Sequence, residues 1–175
     1  MTNSHEPIQN DPVQALIDAN EIAGLAIARN TEGFDSTGAD MIMRNIAVIC
    51  DRMQPQDFNA LSQEARDQVA VVAHISHDLA PMKEIDREKH GNETDEQHQY
   101  RIGVWGPIHT LQSKVHISDF NEDDKLQMSK IRFGVVAASK AFGAVLQETQ
   151  NLPQISETVR YFQSNTDAAV RSASR

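Results

Sequence analysis

Residues 121–150 read NEDDKLQMSKIRFGVVAASKAFGAVLQETQ. Apolar residues recur here at alternating steps of three and four, which is the spacing of one face of an α-helix. They are Met128, Ile131, Val135, Ala138, Phe142 and Val145. A second face, beside this seam, carries the small residues Gly134, Ala137, Ala141 and Ala144. Small side chains let a neighbouring helix approach closely, so the pattern predicts a long central helix near 123–149 of a bundle.

Helical spacing also covers most of the chain outside this stretch. Asp11 and Pro12 form a common helix start, because aspartate caps the first turn and proline fits its first position. Ser62 is an alternative start for the helix predicted from Asp57. No β-strand is predicted, because the weak alternation in residues 100–105 has no partner strand in the sequence. The other predicted helices cover 11–29, 39–53, 57–79, 107–117 and 156–163.

The sequence therefore predicts an all-α, single-domain helical bundle of five or six helices over residues 11–164. Residues 1–10 are polar and are predicted to form a flexible N-terminal arm. The charged stretch near 86–99 is predicted to be mobile, and the small, polar residues 165–175 are predicted to fray. The predicted core contains Ile42, Ile46, Ile49, Leu61, Val72, Ile131, Val135, Phe142 and Val145.

Composition limits the partners of the chain. The formal net charge is -9, and the 16 Lys and Arg residues are scattered, whereas phosphate binding needs them clustered. No nucleic-acid partner is therefore predicted. No apolar run approaches the ~20 residues of a membrane span, so no membrane association and a cytoplasmic location are predicted. The single cysteine, Cys50, lies among apolar residues and is predicted to be a buried thiol in a reducing compartment.

One local cluster has the residue types of a chemical site. His74 and His77 lie one helical turn apart, and Asp78 follows directly, so these side chains can be brought to one metal ion. Histidine is also the side chain that changes charge near neutral pH. His109 and His116, seven residues apart on a later predicted helix, would join the cluster if the two helices packed antiparallel.

The same residues resemble two known families over a few positions. His77-Asp78 resembles the paired ligands of the HD-domain phosphohydrolases, which implies a metal that activates water against a phosphate ester. Residues 75–79, ISHDL, resemble the phospho-accepting box of sensor histidine kinases. That resemblance implies that the His77 nitrogen accepts a phosphoryl group and that Asp78 orients it.

Outside this cluster the sequence contains no glycine-rich phosphate loop and no nucleophile elbow. The leading hypothesis is therefore a non-enzymatic protein without a cofactor, which acts by helix-helix association and forms a homo-oligomer. Trp105, the only tryptophan, is a candidate anchor for a partner. The predicted interface consists of Gly134, Ala137, Ala141, Ala144 and Trp105. The alternative is an enzyme or phosphorelay protein that uses His77 and Asp78, with His74 and His109 as further metal ligands.

Overall fold

The computed structural model describes residues 11–115 and 120–175, and all regular structure in these ranges is helical. The predicted all-α class is confirmed. The predicted N-terminal arm, 1–10, and His116 lie outside the described residues. The elements are α1 (Pro12–Arg29), α2 (Ser36–Arg52), α3 (Pro55–Asn59), α4 (Gln63–Leu79), α5 (Glu84–Arg87), α6 (Asp95–Tyr100), a π-helical turn (Arg101–Trp105), α7 (Gly106–Val115), α8 (Lys125–Thr149), α9 (Pro153–Ser156) and α10 (Val159–Ala173).

Helices α2 and α8 pack against each other in the middle of the bundle. Helices α1 and α10 pack on one side of this pair and contact each other, and α4 and α7 do the same on the other side. The predicted central helix is therefore α8, and α2 shares its position. Both helices need apolar residues on more than one face, which explains why α2 buries Ile42, Met43 and Ile46 completely.

The core is the one that the apolar spacing predicts. Every predicted core residue is buried, and the most accessible of them, Leu61, is only 5% exposed. Burial of each such side chain contributes roughly 1.5–3 kcal/mol to folding. Cys50 is fully buried as well. Burial raises the pKa of its thiol to about 12, which makes the group unreactive.

Side-chain caps fix where the main helices begin. The Asp11 carboxylate accepts a hydrogen bond from the backbone N–H of Val13 at 3.0 Å, as expected for a helix that starts with Asp-Pro. The Ser62 hydroxyl accepts from the N–H of Ala65 at 3.2 Å, so Ser62 begins α4 and the shorter α3 precedes it. Asp124 caps α8 in the same way, with the N–H of Gln127 as donor.

The prediction of a frayed tail over 165–175 is wrong. Helix α10 continues to Ala173 and packs against α1 and α2. Phe162, Thr166 and Ala169 lie on its inner side and are buried. Two of these three residues are small, so the stripe has little hydrophobic signal, although its spacing is helical. Small residues here allow close contact with α2.

The segment near 86–99, predicted to be mobile, is held by Arg101. The Arg101 guanidinium donates to the backbone carbonyl oxygens of Asp86 and Glu88, and to the Glu93 carboxylate at 2.7 Å. The hydrogen bond from Arg101 lowers the pKa of Glu93 to about 2. Arg101 also begins the π-helical turn, in the stretch predicted to be irregular. These contacts depend on one arginine reaching back along the chain, which no local spacing reveals.

A polar network crosses the core between α1, α2, α8 and α10. The Asn45 amide donates to the Asn20 side-chain oxygen at 2.8 Å and to the Thr166 hydroxyl at 3.0 Å. Its own oxygen accepts from the Asn165 amide at 2.8 Å. The Asn20 amide in turn donates to the backbone carbonyl of Ser139. Asn20, a polar residue on the buried face of α1, is therefore a satisfied core residue.

Candidate functional site

His74 and His77 lie on the outer side of α4, beside an open cavity of about 440 Å³. The cavity lies where α4, α5, the π-helical turn and the start of α7 meet. Arg87 at the end of α5 supplies the third polar side chain of its lining. The remaining walls are formed by Ala70, Ala73, Ile102, Gly103 and Pro107.

Arg87 is held from two sides. Its guanidinium lies 3.1 Å from Nε2 of His77. A guanidinium can only donate, so Nε2 of His77 must be the acceptor in this contact and carries no proton there. The backbone carbonyl of Arg87 accepts a hydrogen bond of 2.7 Å from Nε2 of His98 on α6. The arginine is thereby placed at the cavity edge by two histidines from different helices.

Asp78 lies close enough to both histidines to interact with them electrostatically, but its carboxylate is paired elsewhere. Its carboxylate accepts a hydrogen bond of 2.7 Å from the Lys130 ammonium on α8, and this bond lowers the pKa of Asp78. Asp78 is not among the residues that line the cavity. The two resembled families would use this carboxylate to bind a metal or to orient a phosphoryl group. Here it is paired with Lys130.

His109, the other predicted metal ligand, lies on a different side of α7. Its ring stacks on Trp105, with centroids 5.4 Å apart and planes at 15°. The pair lines a separate cavity of about 420 Å³ together with Arg44, Asp51 and Tyr161. Helix α7 packs between α2 and α4, so residues on its two sides cannot share one ion.

The predicted metal set His74, His77, Asp78 and His109 is therefore not assembled. In residues 11–115 and 120–175 no three His, Cys, Asp or Glu side chains are grouped closely enough to hold a metal ion. This removes the ligand set that the hydrolase alternative requires within the described chain. Phosphotransfer through His77 needs no metal and stays a prediction.

The predicted small-residue interface is divided by the fold. Gly134 and Ala141 are buried inside the bundle, and a Cβ on Gly134 would lie 3.2 Å from Cγ2 of Ile75 on α4. The prediction that these two residues face a partner is therefore wrong, because both are covered within the bundle, Gly134 by α4. Ala137 and Ala144 stay partly exposed. Trp105 is half-buried and stacks on His109 of α7, and its role as an anchor stays a prediction.

An apolar surface that the sequence did not predict lies between α4 and α8. Phe133 is 59% exposed and Val71 is 43% exposed. Together with Val136, Ala137, Gln68 and Lys140 they line a shallow groove of about 140 Å³, which we call the α4–α8 face. Phe133 stands outside the main apolar seam, seven residues after the exposed Leu126. This seven-residue spacing of apolar residues is the sequence signal that could have indicated the exposed face.

Among the helices that the structure describes, none is both long enough and apolar enough to cross a membrane.

Similarity to other proteins gives no information about the function of this chain. Comparison with protein-family models, with curated proteins and with solved structures finds no match.

Proposed function

We propose that this chain is a non-enzymatic protein that acts through helix-helix association, as a regulator, adaptor or assembly subunit. In this proposal it forms a homo-oligomer through the α4–α8 face. The observation that carries the proposal is the exposure of Phe133 within an apolar groove on the longest helix. A large aromatic side chain surrounded by other apolar groups at a surface is typical of an interaction site.

The pattern of α8 favours a second copy of the same chain as the partner. Leu126, Phe133 and Lys140 are spaced by seven residues and lie on one side of the helix. If two α8 helices pair antiparallel about Phe133, Lys140 of each copy approaches the start of the other α8. The exposed acidic residues Glu122 and Asp123 lie there. A two-fold axis repeats this charge pairing on both sides, so the surface is complementary to itself.

The size of the face predicts a dimer of modest affinity. Complete burial of an apolar side chain contributes roughly 1.5–3 kcal/mol, and Phe133 and Val71 gain only the share for the surface still exposed, 59% and 43%. Association also loses translational and rotational freedom and fixes surface side chains, which offsets much of this gain. We therefore expect the dimer to dissociate on dilution.

The experiment is light scattering over a dilution series, with Phe133→Glu as the test variant. The parent is expected to be a dimer at high concentration, and Phe133→Glu is expected to stay monomeric, because its charge would be desolvated at the interface. Ile85→Glu is the matched control, since Ile85 is also a largely exposed apolar residue but lies on α5, away from the groove. A monomeric parent at every concentration, or a dimeric Phe133→Glu, would refute self-association through this face.

We also propose that the protein works in the cytoplasm. The support is its single thiol, Cys50, which is buried and kept unreactive by the core around it. A lone cysteine of this kind is typical of proteins that function in a reducing compartment.

A further inference from the structure

We infer that the cavity lined by His74, His77 and Arg87 binds a small molecule that carries a phosphate or similar oxyanion on an apolar body. This site is separate from the α4–α8 face and does not depend on the proposed oligomer. Its volume of about 440 Å³ falls within the range of small-molecule pockets.

The polar part of the cavity lining is basic. All three polar or charged side chains in the lining are basic, in a chain whose formal net charge is -9. No carboxylate among the described residues forms an ion pair with Arg87, whereas Arg101, which follows it along the chain, is paired with Glu93. Arginine presents several donors in a fixed plane that suits an oxyanion. The side chain that is best suited to an anion is therefore available to one.

His77 and Arg87 contact each other at the cavity edge. Nε2 of His77 accepts from the guanidinium at 3.1 Å. This contact uses one N–H of the guanidinium, and the donors that remain suit an oxyanion in the cavity.

One carboxylate near the histidines lies outside the lining. Asp78 interacts electrostatically with His74 and His77, but it is paired with Lys130 of α8 and does not line the cavity. From α6, His98 reaches the backbone of Arg87 and not the cavity. The residues that the π-helical turn and α7 contribute to the lining are uncharged. The lining therefore presents only basic side chains to a charged ligand.

The rest of the cavity wall is apolar. Five of the eight lining residues, including Ile102 and Pro107, have no polar side-chain group. A Cβ built on Gly103 meets no described atom within 4 Å, so the wall leaves room beside it. A bare inorganic ion would leave this apolar surface uncovered. A ligand with an aromatic or aliphatic body would cover it and gain affinity from its burial.

The experiment follows the imidazole proton signals of the full chain by NMR during titration with phenyl phosphate and with inorganic phosphate. We expect saturable shifts at His74 and His77, with phenyl phosphate binding more tightly because its ring contacts the apolar wall. Arg87→Gln should weaken binding at least about tenfold, the usual effect of losing a charge-assisted pair. Arg160→Gln, which changes an exposed arginine on α10, is the matched control and should bind like the parent.

The inference is overturned if the shifts do not saturate or if Arg87→Gln binds like the parent. Repeating the titration in Phe133→Glu separates this result from oligomerisation, because that variant should bind the probe normally even as a monomer.

Discussion

Val135→Asp is expected to unfold the protein. Val135 is 1% exposed and lies on the seam by which α8 contacts α1 and α2. The substitution would bury a carboxylate in an apolar environment without a partner. Substitutions of this kind cost about 4–5 kcal/mol or more, which is close to the whole stability of many domains.

Circular dichroism during heating measures this effect. Val135→Asp should show little helical signal at room temperature, or a melting transition far below that of the parent. Ser129→Asp places the same charge on an exposed position of the same helix and should melt like the parent. If Val135→Asp melted together with the parent, α8 could not be the central helix of the bundle.

Asn45→Ala is expected to cause the second largest loss, although it changes a polar residue. Asn45 joins three other polar side chains, of Asn20, Thr166 and Asn165, and it is fully buried. Its removal leaves buried groups on α1 and α10 without their partners. Because these bonds form one network, the expected loss is roughly 3 kcal/mol of unfolding free energy.

Urea denaturation followed by fluorescence or circular dichroism gives this free energy directly. Asn59→Ala, at an exposed position at the end of α3, is the matched control and should change stability by about 0.5 kcal/mol or less. A loss for Asn45→Ala no greater than that of the control would mean that the network contributes little to holding α1, α2 and α10 together.

The parts of the fold that were predicted correctly depend on local, strongly periodic signals. The spacing of Ile131, Val135 and Phe142 gives α8, and the Asp-Pro pair gives the start of α1. The end of α10 was missed because Thr166 and Ala169 are small and are buried by contact with other helices. Its packing depends on those helices, which a reading of the local spacing cannot include.

In the candidate sites too, the sequence predicted the local features and missed those that depend on the fold. The proximity of His74 and His77 follows from one helical turn, so the sequence predicted it. Arg87 was missed because it comes from a different helix and reaches the cavity only through the fold. His109 was placed wrongly because its side of α7 depends on how that helix packs between its neighbours. The exposure of Phe133 likewise depends on which sides of α8 the other helices cover.

Self-association through the α4–α8 face is tested most directly by exchanging charges across the proposed contact. Lys140→Glu should weaken the dimer about tenfold, because two symmetry-related contacts become repulsive. Lys114→Glu makes the same change at an exposed position on α7 and should leave the dimer unchanged.

The decisive measurement is the dimer dissociation constant of the double variant Lys140→Glu, Asp123→Lys, determined by sedimentation equilibrium beside Lys140→Glu and the parent. Antiparallel pairing of α8 about Phe133 predicts that the second substitution restores affinity toward that of the parent, because opposite charges again face each other. A double variant that dimerises no better than Lys140→Glu would contradict this arrangement.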